Sequence, residues 1–142
     1  MDTNSRCPLS LVPNLPEYHE FIRQLRNDKR VASGFIKTHY ITKEEHKQFM
    51  ENNAMAFYVC LSDNQPVGYV GVINGDIRIC THPDHQKKGV GKFMLTEYFK
   101  LWPRCQVEAK IKITNEASLK LFQACGFKIR YYLLKREDSN VT

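Results

Sequence analysis

The sequence predicts an α/β (α+β) fold in which helices flank a mixed, mostly antiparallel sheet. Three apolar runs at 56–63, 66–73 and 76–82 are separated by the turn signals Asn64-Gln65 and Asn74-Gly75, a pattern typical of an antiparallel meander. Further along the chain the apolar spacing changes to helical and then to alternating. The expected order is β-α-α-β-β-β-α-β-α-β, with about six strands and about four helices packed in layers.

The elements before the meander follow from apolar spacing and capping residues. The run 9–12 predicts a short strand, and apolar residues at helical spacing predict a helix over 16–27. Thr42 and Glu45 form the sequence signature of a capping box, in which each side chain satisfies a backbone N–H of the other. A second helix is therefore expected to about Asn52.

The elements after the meander complete the predicted order. Apolar residues recur at helical spacing from Val90 to Leu101, which predicts a helix. The run 106–114 alternates apolar and charged residues, as expected for a strand with one buried face. Asn115 predicts the start of another helix, which Gly126 ends, and 127–135 predicts the last strand.

Composition indicates one globular domain spanning residues 1–142. The net charge of +6 suits anionic ligands, although a basic surface can equally be a solvated face. No apolar run approaches the roughly 18 residues of a membrane span, and the N-terminus lacks the apolar core of a signal peptide. We therefore expect a cytoplasmic protein that does not contact membranes.

The cysteines and histidines do not point to a disulfide scaffold or a metal site. Five cysteines are present, an odd number, and no C-x-x-C occurs. His82-x-x-His85 has no evident third ligand nearby, so no metal is expected.

The stretch HPDHQKKGVGKFML, residues 82–95, carries the clearest chemical signal. It places Gly89 and Gly91 among lysines where a strand gives way to a helix. The first N–H groups of a helix have no intrahelical partner and attract anions, which predicts a phosphate site. A P-loop is excluded, because the stretch lacks the pattern G-x-x-x-x-G-K-[ST]. A Rossmann turn is excluded, because Met94 stands where the pattern G-x-G-x-x-G requires its third glycine.

The Q-x-x-G-x-G pattern at 86–91 resembles the acetyl-CoA signature of the GCN5-related N-acetyltransferase (GNAT) superfamily. VEAKIKITNEASLKLFQACGF, residues 107–127, resembles the family's C-terminal motif E-A-x(5)-N-x-x-S ending in G-F. The segment 25–50, with R-N-D and I-T-x-E-E-H, is similar to the RimJ/RimL-like branch. The resemblance covers nearly the whole chain in the right order.

The resemblance implies that acetyl-CoA binds where the fourth and fifth strands splay apart. Backbone groups at Ile79, Cys80 and Thr81 would pair with the pantetheine arm, and an N–H near Thr81 would polarise the acetyl carbonyl. Asn115 would hydrogen-bond the arm or simply cap its helix. The pyrophosphate would be held by the residues of the turn: Gln86, Lys87, Lys88, Gly89, Val90, Gly91 and Lys92.

The resemblance further implies direct attack of a neutral amine on the thioester, helped by an acid and a base. The family's usual tyrosine falls at Phe122, beside the cofactor, and phenylalanine has no proton to give. Ser118 is the candidate for stabilising the sulfur. Glu108 is the candidate base. Asp76, His82 and His85 remain alternatives, as does a chain of water molecules.

The acceptor side is expected within 27–53, where the basic residues include Arg30 and His46. The implied acceptor is an amino-sugar nucleotide, a protein N-terminus, a polyamine or another small amine, and the basic residues favour an anionic one. A non-catalytic acyl-CoA-binding or interaction module is the alternative. Nucleic acid is not an expected partner, since no nucleic-acid-binding motif is visible. A homodimer is possible, because few residues follow Gly126 and a partner chain could complete the sheet.

Overall fold

The computed structural model describes residues 8–32, 34–36 and 39–137. Four strands form one antiparallel sheet in the order β1-β2-β3-β4, so neighbours in the sheet are also neighbours in sequence. The strands are β1 Leu9–Pro13, β2 Phe57–Ser62, β3 Gln65–Ile73 and β4 Asp76–Thr81. The predicted meander is confirmed, with β1 added at the β2 edge.

Tight turns join the strands of the meander. Asn74 and Gly75 both have positive φ, 51° and 78°, as a two-residue hairpin turn requires. The first turn lies one residue earlier than predicted, because Asp63 and Asn64 take the left-handed conformation with φ of 50° and 66°. Gln65 is consequently the first residue of β3.

The described residues form five α-helices, which are α1 Pro16–Asn27, α2 Lys29–Ala32, α3 Lys43–Asn53, α4 Val90–Leu101 and α5 Glu116–Ala124. The predicted capping box is present, since Thr42 Oγ1 accepts from the Glu45 N–H at 3.1 Å and Glu45 Oε1 accepts from the Thr42 N–H at 2.9 Å. The sequence pattern did not indicate α2, because four residues are too few to show a helical period. None of the described helices is long and apolar enough to cross a membrane.

The core lies on both faces of the sheet. Helices α1 and α3 cover one face, where Ile22 and Met50 pack with Tyr69. Helices α4 and α5 cover the other, where Met94 and Phe122 join the second cluster of buried residues. Full burial of such a side chain contributes about 1.5–3 kcal/mol, so each face anchors its helices.

The expectation of about six strands is wrong for the described residues, which form four. The run 106–114 makes one isolated bridge, between Asp76 and Glu108, instead of a strand. Its alternation holds as far as Ile111, because Val107, Ala109 and Ile111 are half-buried against the second cluster, whereas the predicted Ile113 is 96% exposed. The pattern therefore recorded which face is buried and did not determine the hydrogen-bonded pairing. The expected splay between a fourth and a fifth strand is not shown.

The run 127–135 is not a strand either. Its large apolar side chains are exposed at Ile129, Tyr131, Tyr132, Leu133 and Leu134. Beyond Phe127 no backbone–backbone hydrogen bond forms within the part of the chain that the structure describes. Local propensity can favour extended backbone, but a strand needs a neighbour to pair with. The homodimer stays a prediction.

Candidate active site

Among the residues that the structure describes, little pairs with one edge of β4, which is open along most of its length. The Ile77 N–H donates to Glu108 O at 3.0 Å, and the Glu108 N–H donates to Gly75 O at 2.7 Å. These are the backbone hydrogen bonds that the structure describes between the 106–112 segment and either β4 or the turn before it. Because strand residues alternate in direction, the N–H groups of Ile79 and Thr81 lie on the same open edge.

Cys80 faces the other way along β4. It lies opposite Tyr69 of β3, so its backbone groups are directed to the sheet, and its side chain is buried in the first core cluster. Of the three residues predicted to pair with the cofactor arm, Ile79 and Thr81 therefore present their backbone to the open edge. Thr81 O also accepts from Gln86 Nε2 at 3.3 Å, which fastens the following turn to the strand.

The glycine turn leaves the N-terminus of α4 uncapped by any side chain. Gly89 is the N-cap residue and has φ of 80°, a left-handed conformation that residues with a Cβ rarely adopt. The first N–H groups of α4 have no intrahelical acceptor, and the Phe93 N–H is the one that reaches Gly89 O, at 3.0 Å. Lys87 and Lys88 are exposed beside these donors. The arrangement fits an anion.

Gly91 has a different role from Gly89. A Cβ at this position would lie 2.9 Å from Leu121 Cδ2. Its missing side chain lets α4 approach α5 closely, so the second glycine brings the turn next to the start of α5. The sequence interpretation, which assigned both glycines to the anion, missed this packing contact.

The start of α5 holds two predicted site residues. Asn115 Oδ1 accepts from the Ser118 N–H at 3.1 Å, which confirms the N-cap, and Asn115 Nδ2 donates to Gly34 O at 3.5 Å. The Ser118 hydroxyl makes no hydrogen bond within the described ranges. Phe122 lies one turn further on, 4% exposed, with its ring edge-on to Phe127 at 4.9 Å.

The candidate proton-transfer residues lie at opposite ends of β4. Glu108 and Asp76 are bridged at its start, and Glu108 Oε2 accepts from the Tyr131 hydroxyl at 3.1 Å, which raises the pKa of Tyr131. At the far end, His82 Nδ1 accepts a hydrogen bond from the Asp84 N–H at 3.1 Å, so this nitrogen is not free to take a proton from a substrate. Sequence reasoning missed Tyr131, because it stood in what read as an ordinary strand.

No group of three or more His, Cys, Asp or Glu side chains that could hold a metal ion occurs in the described part of the chain.

The two predicted acceptor-side residues differ in exposure. Arg30 is exposed and ion-paired with Asp28 at 2.8 Å and with Asp84 at 3.2 Å, so it ties α2 to the turn after β4. His46 is 4% exposed, and its Nε2 lies 2.9 Å from His19 O and its Nδ1 3.4 Å from Arg26. His46 is therefore almost fully buried, and its contacts hold α3 against α1.

Burial of His46 predicts a pH-dependent stability. Burial, reinforced by the Arg26 charge, lowers the pKa of His46. An unfolded histidine titrates near 6.5, so below about that pH the unfolded state takes up a proton that the folded state resists. We expect the melting temperature to fall between pH 7.5 and 5.5, and to fall less steeply in His46→Gln. Parallel curves for the two proteins would contradict this. His19, whose pKa burial also lowers, contributes to the slope that remains.

Comparisons with known proteins identify the family. The family model described as acetyltransferase (GNAT) family matches residues 19–127. The acetyltransferase PseH of Campylobacter jejuni is 28% identical over 121 residues, which cover 78% of this chain and 76% of that protein.

Solved structures agree on the fold. The spermidine N-acetyltransferase of Vibrio cholerae, in complex with CoA and spermine, superposes with a TM-score of 0.78 at 18% identity, over 90% of this chain and 85% of that one. An aminoglycoside N-acetyltransferase in complex with CoA gives 0.70 at 16% identity, over 97% and 99%. The family match, on a fold with an open strand edge beside an uncapped helix, establishes that the chain belongs to the acetyltransferase (GNAT) family and is an N-acetyltransferase.

Proposed function

We propose that this chain transfers an acetyl group from acetyl-CoA to a primary amine by direct attack of the amine on the thioester. The observation that carries the proposal is the junction of β4 with α4. There an open strand edge at Ile79 and Thr81 leads into a helix N-terminus that Gly89 leaves free of any capping side chain. A long ligand with amide groups at one end and a pyrophosphate at the other matches both features.

The chain's donors suit the two parts of such a ligand. The first N–H groups of α4, from Gly89 to Lys92, bind the pyrophosphate together with Gln86 and the side chains of Lys87 and Lys88. The backbone groups of Ile79 and Thr81 pair with the amides of the pantetheine arm. Asn115 Nδ2, which in this structure donates to Gly34 O at 3.5 Å, is a further donor for the arm. When bound, acetyl-CoA supplies the activated acyl group.

The side chains divide the proton handling between them. The arm runs from the pyrophosphate at α4 towards the start of β4, so an N–H near Thr81 on the open edge, that of Ile79, faces the acetyl carbonyl and stabilises negative charge on its oxygen. Glu108 is hydrogen-bonded to Ile77, two residues further towards the start of the strand, and takes the proton of the attacking amine through water, while Tyr131 orients its carboxylate. The Ser118 hydroxyl donates a hydrogen bond to the departing sulfur. Phe122 cannot do so, because its buried ring carries no acidic proton.

The acceptor is a primary amine, and the residues of this chain are compatible with several classes of amine. An amino-sugar nucleotide, a protein N-terminus, a polyamine and other small amines are the candidates, and the motif over 25–50 supports placement in the RimJ/RimL-like branch. Arg30 lies on the acceptor side of the turn, although its two carboxylate partners offset its charge. His46 is buried, so it contributes to the acceptor side by positioning Arg26, whose Nη1 lies 3.4 Å from its Nδ1. We further propose that residues 1–142 form one catalytic domain.

Thermal unfolding with and without acetyl-CoA tests the proposal. A ligand at about 100 times its dissociation constant adds roughly 2.7 kcal/mol to the free energy of unfolding. We expect a clear rise in melting temperature with acetyl-CoA and none with ATP, which controls for general anion binding. Release of free thiol should then appear with one of three amine probes: glucosamine, spermidine or a short unblocked peptide. The absence of an acetyl-CoA shift would overturn the proposal.

A further inference from the structure

Arg26 carries a half-buried positive charge that has no counter-ion within the described residues. Its guanidinium lies 4.7 Å from the centre of the Phe49 ring, and its Nη1 lies 3.4 Å from His46 Nδ1. No carboxylate pairs with it among the residues that the structure describes. Arg23 on the same helix differs, since Glu20 pairs with it at 2.7 Å. A desolvated charge without a partner is costly, so Arg26 is suited to receive an anion.

Tyr69 adds a second polar group without a partner. Its side chain is 5% exposed, and its hydroxyl makes no hydrogen bond within the described residues. The buried side-chain atoms without a partner in the described residues are Asn14 Oδ1 and His19 Nε2, so the Tyr69 hydroxyl is reached by solvent and is available to donate to a ligand. Burial raises the pKa of Tyr69, while the charges of Arg26 and Arg78 act to lower it. Both guanidinium groups are therefore within electrostatic reach of the hydroxyl.

Arg78 reaches the same place from β4. Arg78 pairs with Gly71 of β3, and Cys80, two residues later on β4, pairs with Tyr69. Residues two apart on a strand share a face, so Arg78 belongs to the face covered by α1 and α3. Its Nε pairs with Asp76 at 3.4 Å, and its side chain is 41% exposed, which leaves a route for a ligand from solvent.

The balance of charge around this cluster is positive. Arg26 and Arg78 supply two positive charges, and Asp76, which pairs with Arg78, supplies one negative charge. Glu45 acts on Arg26 electrostatically without an ion pair, and His46, whose pKa burial lowers, adds no charge at neutral pH. One positive charge is left over beside a hydroxyl that can donate.

We propose that Arg26, Tyr69 and Arg78 bind an anionic group, a phosphate or a carboxylate, carried by the amine acceptor. The side chains of the cluster lie on the α1–α3 face of β4, whereas α4 packs on the other face, so this anion site is distinct from the glycine turn. That the anion belongs to the amine acceptor rests on the proposed function. That the cluster binds an anion is independent of the proposed function.

The first experiment follows the arginine side chains directly. Nε–H resonances are recorded in the protein saturated with CoA, which blocks the glycine turn, and inorganic phosphate is then added. Spectra of Arg26→Lys and Arg78→Lys assign the two signals. We expect both to shift saturably, while the exposed Arg130 does not. Equal response of all three arginines would overturn the proposal, whether or not the protein transfers acetyl groups.

The second experiment identifies the source of the anion. Calorimetry on the CoA-saturated protein compares glucosamine with its phosphate ester, glucosamine 6-phosphate, and its carboxylate ether, muramic acid. We expect one of the anionic forms to bind roughly tenfold more tightly than glucosamine, as expected for a hydrogen bond to a charged group. That preference should be lost in Arg78→Gln and weakened in Tyr69→Phe, and retained in the control Arg130→Gln.

If glucosamine binds as tightly as both anionic forms, or if Arg78→Gln keeps the preference, the proposal is wrong. Failure of the proposed function would appear separately, as a missing acetyl-CoA shift with the phosphate response of Arg26 and Arg78 intact.

Discussion

Replacing Glu108 by glutamine is expected to lower kcat by a factor on the order of 10²–10⁴, the usual contribution of a positioned acid or base. The change removes the proton acceptor and keeps the shape of the side chain. The hydrogen bonds that hold this residue to Ile77 of β4, at 3.0 Å, and to Gly75 in the turn before it, at 2.7 Å, are made by backbone atoms and are retained. Release of free thiol at saturating acetyl-CoA and amine measures kcat, and calorimetry with CoA checks that binding is unchanged.

Two further variants separate proton transfer from structure. Glu116→Gln changes an exposed carboxylate in the first turn of α5 and serves as the matched control, with kcat expected to remain near wild type. Tyr131→Phe removes the hydroxyl 3.1 Å from Glu108 Oε2, and we expect a smaller loss of kcat together with an altered pH profile. A normal kcat in Glu108→Gln would assign the proton to water or to another group.

Reversing two charges in the glycine turn, with Lys87→Glu and Lys88→Glu together, is expected to raise the dissociation constant for CoA about 100-fold. Each lysine supplies a hydrogen bond to a charged group, worth about 1.5–3 kcal/mol, and tenfold in affinity corresponds to about 1.4 kcal/mol. Both side chains are exposed, so the fold should be little affected. Calorimetry at fixed ionic strength measures the effect.

The control for this double variant places the same charge change elsewhere. Lys43→Glu with Lys47→Glu alters α3, which packs on the opposite face of the sheet from α4. We expect CoA affinity to change little in this control. If both double variants weaken CoA equally, the effect is one of net charge, and the turn has no specific role.

Local rules account for the elements that the sequence predicted correctly. The capping box of Thr42 and Glu45 and the Asn74-Gly75 turn each depend on residues a few positions apart. The run from Val90 to Leu101 shows its helical period directly. The glycine turn was recognisable for the same reason, because Gly89 acts through its own backbone conformation.

Tertiary structure decided the features that depend on residues distant in sequence. The alternation of 106–114 correctly marked a half-buried face as far as Ile111, yet Ile113 is exposed. Strand pairing needs a partner edge, and β4 meets this segment at Glu108. The contact of Gly91 with Leu121 and the hydrogen bond of Tyr131 to Glu108 were equally invisible, since neither leaves a periodic signal.

The sequence by itself therefore determined the local elements and, through its motifs, the family to which the chain belongs. Only the tertiary structure decided which charges keep a counter-ion. Arg23 and Arg26 are three residues apart on one helix, but Glu20 neutralises the first, and packing over Phe49 separates the second from any described carboxylate. The physical reason is that desolvation and pairing depend on three-dimensional neighbours, which residue type alone does not specify.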